Sequence, residues 1–134
     1  MTTKKRILVV DDEPDMTLMV RLNLQKTGRF EVREENEANN ALRAAREFRP
    51  DLILLDVMMP DMDGGDVLIQ LKDDANLKKV PVIFITATVL KEEVRSKGGT
   101  IGGHPFIPKP FKVETLVKSI DDSLTQAAAQ ARAK

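Results

Sequence analysis

Three short stretches of the chain are apolar throughout: Ile7-Leu-Val-Val10, Leu52-Ile-Leu-Leu55 and Pro81-Val-Ile-Phe-Ile85. Runs of this length, bounded by polar or turn residues, read as strands buried on both faces. Phe30-Glu-Val-Arg33 alternates instead, as an exposed or edge strand does, and Pro105-Phe-Ile-Pro108 is a short last strand that its prolines confine to a sheet edge. Between these runs the apolar period lengthens to three and four. Pro14 suits the first position of a helix carried by Leu18, Met19 and Leu22 and stopped by Gly28. Ala38, Ala41, Leu42, Ala45 and Phe48 line a second helix that ends before Pro50, and Val67, Leu68 and Leu71 mark a third. Val113, Leu116, Val117, Ile120 and Leu124 line a closing helix, which trails into the Ala-rich AAAQARAK as a fraying end. Residues 87 to 103 carry only a weak helical signal, around Val89, Leu90 and Val94. The four glycines from Gly98 to Gly103 read as a flexible loop, too far from any strand end to cradle a phosphate.

Strand followed by helix, repeated along the chain, implies right-handed crossovers and a parallel sheet covered on both faces. All strand carboxyl ends then share one edge, where ligands bind in open α/β sheets. That edge gathers Asp11 and Asp12 from the first strand, Asp56 from the third, Thr86 from the fourth and Lys109 from the fifth. Three carboxylates against one ammonium are costly to hold together unless a cation binds or pKa values rise. Oxygen-only ligands and a negative excess fit Mg²⁺, a hard ion that takes one or two carboxylates, waters and a phosphate oxygen. A carboxylate beside such a metal can attack phosphorus, with the metal and Lys109 neutralising charge on the transferring group and the Thr86 hydroxyl donating to it. Each feature has a plainer reading alone: Asp11-Asp12-Glu13 as a solvated acidic turn, Thr86 as a strand-end hydroxyl, Lys109 as a surface lysine. Their coincidence on corresponding strand ends favours the chemistry.

Composition narrows the setting. The chain's 134 residues suffice for one domain with a single core. Lys+Arg and Asp+Glu are both 21, so no net field argues for binding nucleic acid or a membrane surface. The absence of cysteine excludes thiol catalysis and disulfides. The basic MTTKKR leads into too few apolar residues for a signal peptide or a spanning helix, so the expectation is a soluble, cytoplasmic protein.

The joint motif is specific. Asp11-Asp12, Asp56 with the downstream Met59-Pro60-x-Met62-Asp63-Gly64, Thr86, and Lys109-Pro110-Phe111 resemble the receiver domains of two-component response regulators, over roughly residues 5 to 125. The resemblance implies a flavodoxin-like, doubly wound five-stranded parallel sheet of order 2-1-3-4-5, with the domain at residues 1–126 and an Ala-rich tail at 127–134. It implies a chemotaxis-regulator-like single receiver, in which Asp56 accepts a phosphoryl group from a histidine kinase or phosphotransfer protein and alters an output surface for a downstream protein. Asp12 and Asp56 would ligate Mg²⁺ directly with the Met58 carbonyl, and Asp11 largely through water. Lys109 would pair with the phosphoryl group, and the Lys109-Pro110 bond would be cis. Thr86 and Phe106 would form the switch, although Phe106 stands where the family often has Tyr, and GGTIGGHP replaces the usual approach to the last strand.

Two other classes compete. A Mg²⁺-dependent phosphohydrolase of the haloacid dehalogenase type also forms an aspartyl phosphate, but wants a second acid two residues on, where Met58 stands. A flavin- or nucleotide-binding module would need a Ser/Thr/Gly-rich loop after the first strand, where Asp11-Asp12-Glu13 would repel phosphate.

Overall fold

The computed structural model describes residues 4–60, 62–86, 100–101 and 104–132. Among these residues the strands are β1 (Lys5–Val10), β2 (Phe30–Glu35), β3 (Leu52–Asp56), β4 (Val82–Thr86), β5 (Thr100–Ile101) and β6 (His104–Pro108), with helix α1 (Pro14–Lys26) after β1, α2 (Ala41–Phe48) after β2, α3 (Gly64–Asp73) after β3 and α4 (Val113–Arg132) after β6. The sheet order is β2-β1-β3-β4-β6-β5, and all pairings are parallel except the antiparallel β5–β6. The expected five-stranded parallel frame is therefore present, with one short strand added. Pro105–Pro108, expected at the edge, is flanked instead by Thr100–Ile101, with Ile101 opposite His104. Gly102 and Gly103, which stand between them in the sequence, lie outside the described residues. The helical signal around Val89 to Val94 lies outside the described residues.

Side chains alternate across the strands, so each all-apolar run feeds two cores. Ile7, Val9, Leu52 and Leu54 pack with Val20, Leu24, Leu116 and Ile120 on one face. Leu8, Val10, Ile53 and Leu55 pack with Ala41, Ala45, Val67 and Leu71 on the other. Each large side chain removed from water contributes about 1.5–3 kcal/mol.

Helix α1 departs from its expected face. Leu18, Met19 and Leu22 are exposed (40%, 36% and 54%), while Thr17, Val20 and Leu24 are buried. Helical spacing permits either stripe. The inward one is available because the Thr17 hydroxyl finds the Pro14 carbonyl and the Glu34 carboxylate, at 3.1 and 2.8 Å. Helix α4 also differs: it continues through the alanines to Arg132 instead of fraying, as the helix preference of alanine favours. Among the described residues, no helix is long and apolar enough to cross a membrane.

Candidate functional site

The sheet register assembles the carboxyl edge. Val10 pairs with Leu55, so the next residues, Asp11 and Asp56, end up side by side. Asp56 pairs with Ile85, which places Thr86 on the adjoining tip, and Thr86 pairs with Pro108, which delivers Lys109. The Lys109 N–H donates to the Thr86 carbonyl at 2.8 Å, locking the two tips together. Asp11, Asp56 and Thr86 are buried, at 0%, 4% and 1% exposure. Oxygens of Asp11, Asp12 and Asp56 all lie within 4.8 Å of one another.

Lys109 is the cation among them. Its Nζ donates to Asp11 Oδ2 at 2.7 Å and to Glu13 Oε1 at 3.2 Å, and stands 3.7 Å from Asp56 Oδ1. Burial pushes Lys109 toward losing its proton, but the hydrogen bond and charge of Asp11, with the charge of Asp56, outweigh this and hold its pKa above the usual 10.5. Burial and the charge of Asp11 raise Asp56 from 3.8 to about 7, against the countering charge of Lys109 and the Met58 N–H that donates to it. Burial also raises Asp11, despite its bond to Lys109. The pocket thus holds more negative charge than one lysine compensates. Protonation is one relief for this, and a bound cation is another.

Four of the expected residues, Asp11, Asp12, Asp56 and Lys109, meet directly, and Thr86 joins them through its backbone. Met58, two residues after Asp56, is 59% exposed. Phe106 pairs in register with Phe84 and packs, half-buried, against the core on the α2 and α3 side. The Lys109-Pro110 bond is cis, as the resemblance implied.

Sequence reasoning missed what supports the acids. Glu13 entered only as part of the acidic turn, and here it binds Lys109. Behind the β1–α1 connection, Asn36 Nδ2 donates to the Asp11 carbonyl and to Thr17 Oγ1, both at 2.9 Å. Thr17 donates to Glu34, whose other oxygen accepts from Arg21 Nε at 2.5 Å. Burial works against the Glu34 charge, but the bonds from Arg21 and Thr17 prevail and hold its carboxyl below the usual range. Nothing local in the sequence ties residues 34 and 36 to the Asp11 turn. Gly64 was legible only as a turn residue. A Cβ there would meet the Asp56 carbonyl oxygen at 2.6 Å and Val57 Cα at 3.0 Å, so glycine lets α3 start against the Asp56 backbone. Asp63 and Asp66 close that start as a capping box.

The family model for the response regulator receiver domain matches residues 7–121. The chain belongs to that family. The receiver is 40% identical over 111 residues to the probable transcriptional regulatory protein TcrX of Mycobacterium tuberculosis, covering 83% of this chain and 46% of that one. It is 36% identical over 124 residues to the polar-differentiation response regulator DivK of Brucella anthropi, covering 92% and 98%. The receiver thus spans about half the length of TcrX but nearly all of DivK. Among solved structures it resembles the receiver domain of sensor histidine kinase PA1611 from Pseudomonas aeruginosa, at 26% identity and a TM-score of 0.77, covering 92% and 99%. That structure has a magnesium ion coordinated in its active-site cleft.

Proposed function

We propose that this receiver is a phosphorylation-activated switch in which Asp56 takes a phosphoryl group from the phosphohistidine of a histidine kinase or phosphotransfer protein. The observation that carries this is the convergence on Asp56, buried at a central strand tip, of Asp11, Asp12 and Lys109. An Asp56 oxygen attacks phosphorus, the phosphorus–nitrogen bond breaks, and the histidine leaves with the electron pair. Lys109, already 3.7 Å from Asp56, is placed to turn from Asp11 and Glu13 toward the incoming oxygens. Thr86, on the adjoining tip, has the hydroxyl to donate to another of them.

Mg²⁺ fits the donor set. Asp11, Asp12 and Asp56 offer only carboxylate oxygens, close together, and repulsion and burial raise the proton affinity of Asp56. Asp12 and Asp56 would hold the ion with the Met58 carbonyl, and Asp11 would act largely through water. A bound Mg²⁺ supplies positive charge that lets the ionised carboxylate and the phosphoryl oxygens approach. The magnesium in the PA1611 receiver supports this reading.

We place the protein in the cytoplasm, with Phe106 and Thr86 relaying the change to a protein partner. A phosphohydrolase would turn phosphoesters over steadily through the same intermediate. Met58, at the position where such enzymes need an acid, speaks against it. Incubation with Mg²⁺ and acetyl phosphate, followed by intact mass and peptide mapping, should show one phosphoryl group on Asp56. Labelling that survives excess chelator, or that moves undiminished to another residue in Asp56→Asn, would overturn the reading.

A further inference from the structure

The opposite edge of the sheet carries a second concavity that phosphoryl chemistry leaves unused. At the amino ends of β4 and β6, a groove of about 840 Å³ lies between the end of α3 with the connection to β4 and the last turns of α4. That volume is within the range of small-molecule sites, roughly 300–1,000 Å³. Its basic lining residues are Lys72, Lys78, Lys79 and His104, and no carboxylate is among the residues that line it. This contrasts with the receiver's balanced total of 21 acidic and 21 basic residues, so the neutrality conceals two poles.

The basic groups are held together at a cost. Lys72, in the last turn of α3, donates to the Lys78 carbonyl at 2.9 Å, which fixes its ammonium at the groove wall. Solvent reaches part of Lys72, yet partial burial still lowers its pKa. His104 stands edge-on to Phe84, with ring centroids 6.1 Å apart, and burial and then the charge of Lys72 lower its pKa. The rest of the lining is of another kind. Val80, Pro81, Pro105 and Ala127 offer apolar surface without side-chain donors, and Gln126 and Gln130 bring neutral amides from α4. Gln130, with Ala127 and Ala131, belongs to the stretch of α4 beyond the expected domain boundary, so the helical continuation builds part of one wall of the groove.

We propose that this groove binds an organic polyanion with a flat apolar body, of the nucleoside polyphosphate class. The lysines would take the phosphates, the prolines and alanine the flat ring system, and the glutamine amides its polar edge. The basic lining excludes a metal ion. A concavity of about 840 Å³ favours a compact ligand over an extended strand of nucleic acid, which would track a longer positive face. Because the groove lies at the amino ends of the strands, occupancy is independent of the reading given for Asp56.

ATP, titrated in chelator so that the acidic edge recruits no metal bridge, is the probe, with ¹⁵N chemical shifts and calorimetry as readouts. Saturable binding with a dissociation constant below about 1 mM is expected, with shifts centred on Lys79, His104, Gln126 and Gln130. Adenosine and pyrophosphate should each bind at least about tenfold more weakly than ATP, since each makes only half of the contacts. Lys72→Glu should weaken ATP at least about tenfold while leaving Mg²⁺-dependent phosphorylation of Asp56 unchanged. Gln130→Glu, which adds a charge without touching the lysines, should weaken ATP in the same direction and guards against misfolding of the first variant. Pyrophosphate binding as tightly as ATP would reduce the groove to a surface anion patch. Oligonucleotide binding that strengthens with length would reassign it to nucleic acid. ATP binding unaffected by both variants, or no saturation, would overturn the proposal.

Discussion

Asp56→Asn should stabilise the metal-free protein at neutral pH while abolishing its phosphorylation. Burial and Asp11 raise the Asp56 pKa from 3.8 to about 7. Below the ordinary value both folded and unfolded chains hold the proton. Between about pH 4 and 7 the folded state keeps it and the unfolded state loses it, so stability falls as pH rises and levels off above the folded pKa. At about 1.4 kcal/mol per pH unit the full difference is about 4 kcal/mol. Asp11, also raised, adds to the same slope, whereas Lys109, held above 10.5, contributes a stability that stays constant below that value. An asparagine keeps the shape and can still accept from the Met58 N–H, but carries no charge. In chelator at about pH 8 the variant should therefore exceed wild type by about 2–4 kcal/mol, and its pH slope between about 5 and 7 should be shallower. Urea denaturation followed by helical circular dichroism suits the measurement, because the chain has no Trp or Tyr. A variant no more stable than wild type at about pH 8, or one with the same slope, would refute the claim that Asp56 is held ionised against burial and repulsion.

Mg²⁺ should raise wild-type stability by about 2.7 kcal/mol at 100-fold over its dissociation constant, and Asp12→Ala should lose most of that gain in thermal melts. Gly64→Ala should cost about 1–3 kcal/mol in urea denaturation, because its methyl would press on backbone atoms of Asp56 and Val57 at 2.6 and 3.0 Å. Asn36→Ala strips the side-chain donor from the Asp11 carbonyl and the buried Thr17 hydroxyl, and should cost about 1–3 kcal/mol. The same variant should weaken Mg²⁺ by magnetic-resonance titration, and an unchanged affinity would show that this network supports the fold alone.

How much of this could be read from the chain follows from how far each signal reaches. Ile7–Val10, Leu52–Leu55 and Val82–Ile85 announce buried strands because four apolar residues in a row have no amphipathic face to offer, and strand–helix alternation then forces parallel order. Parallel order alone brings Asp11, Asp56, Thr86 and Lys109 to one edge, so the candidate site was legible before any contact was known. Periodicity could not choose between two stripes on α1. Thr17 is polar by sequence and enters the core only because Glu34, on β2, accepts from its hydroxyl and Asn36, just after β2, donates to it. Nor could it find that Lys109 rests on Asp11 and Glu13, partners 98 and 96 residues away. Local propensity marks where elements run and stop. The pairing of charges across the sheet edge, the tight fit at Gly64 and the basic groove walled by α4 exist only once distant segments pack, since burial and proximity are properties of the assembled layers and of no single stretch.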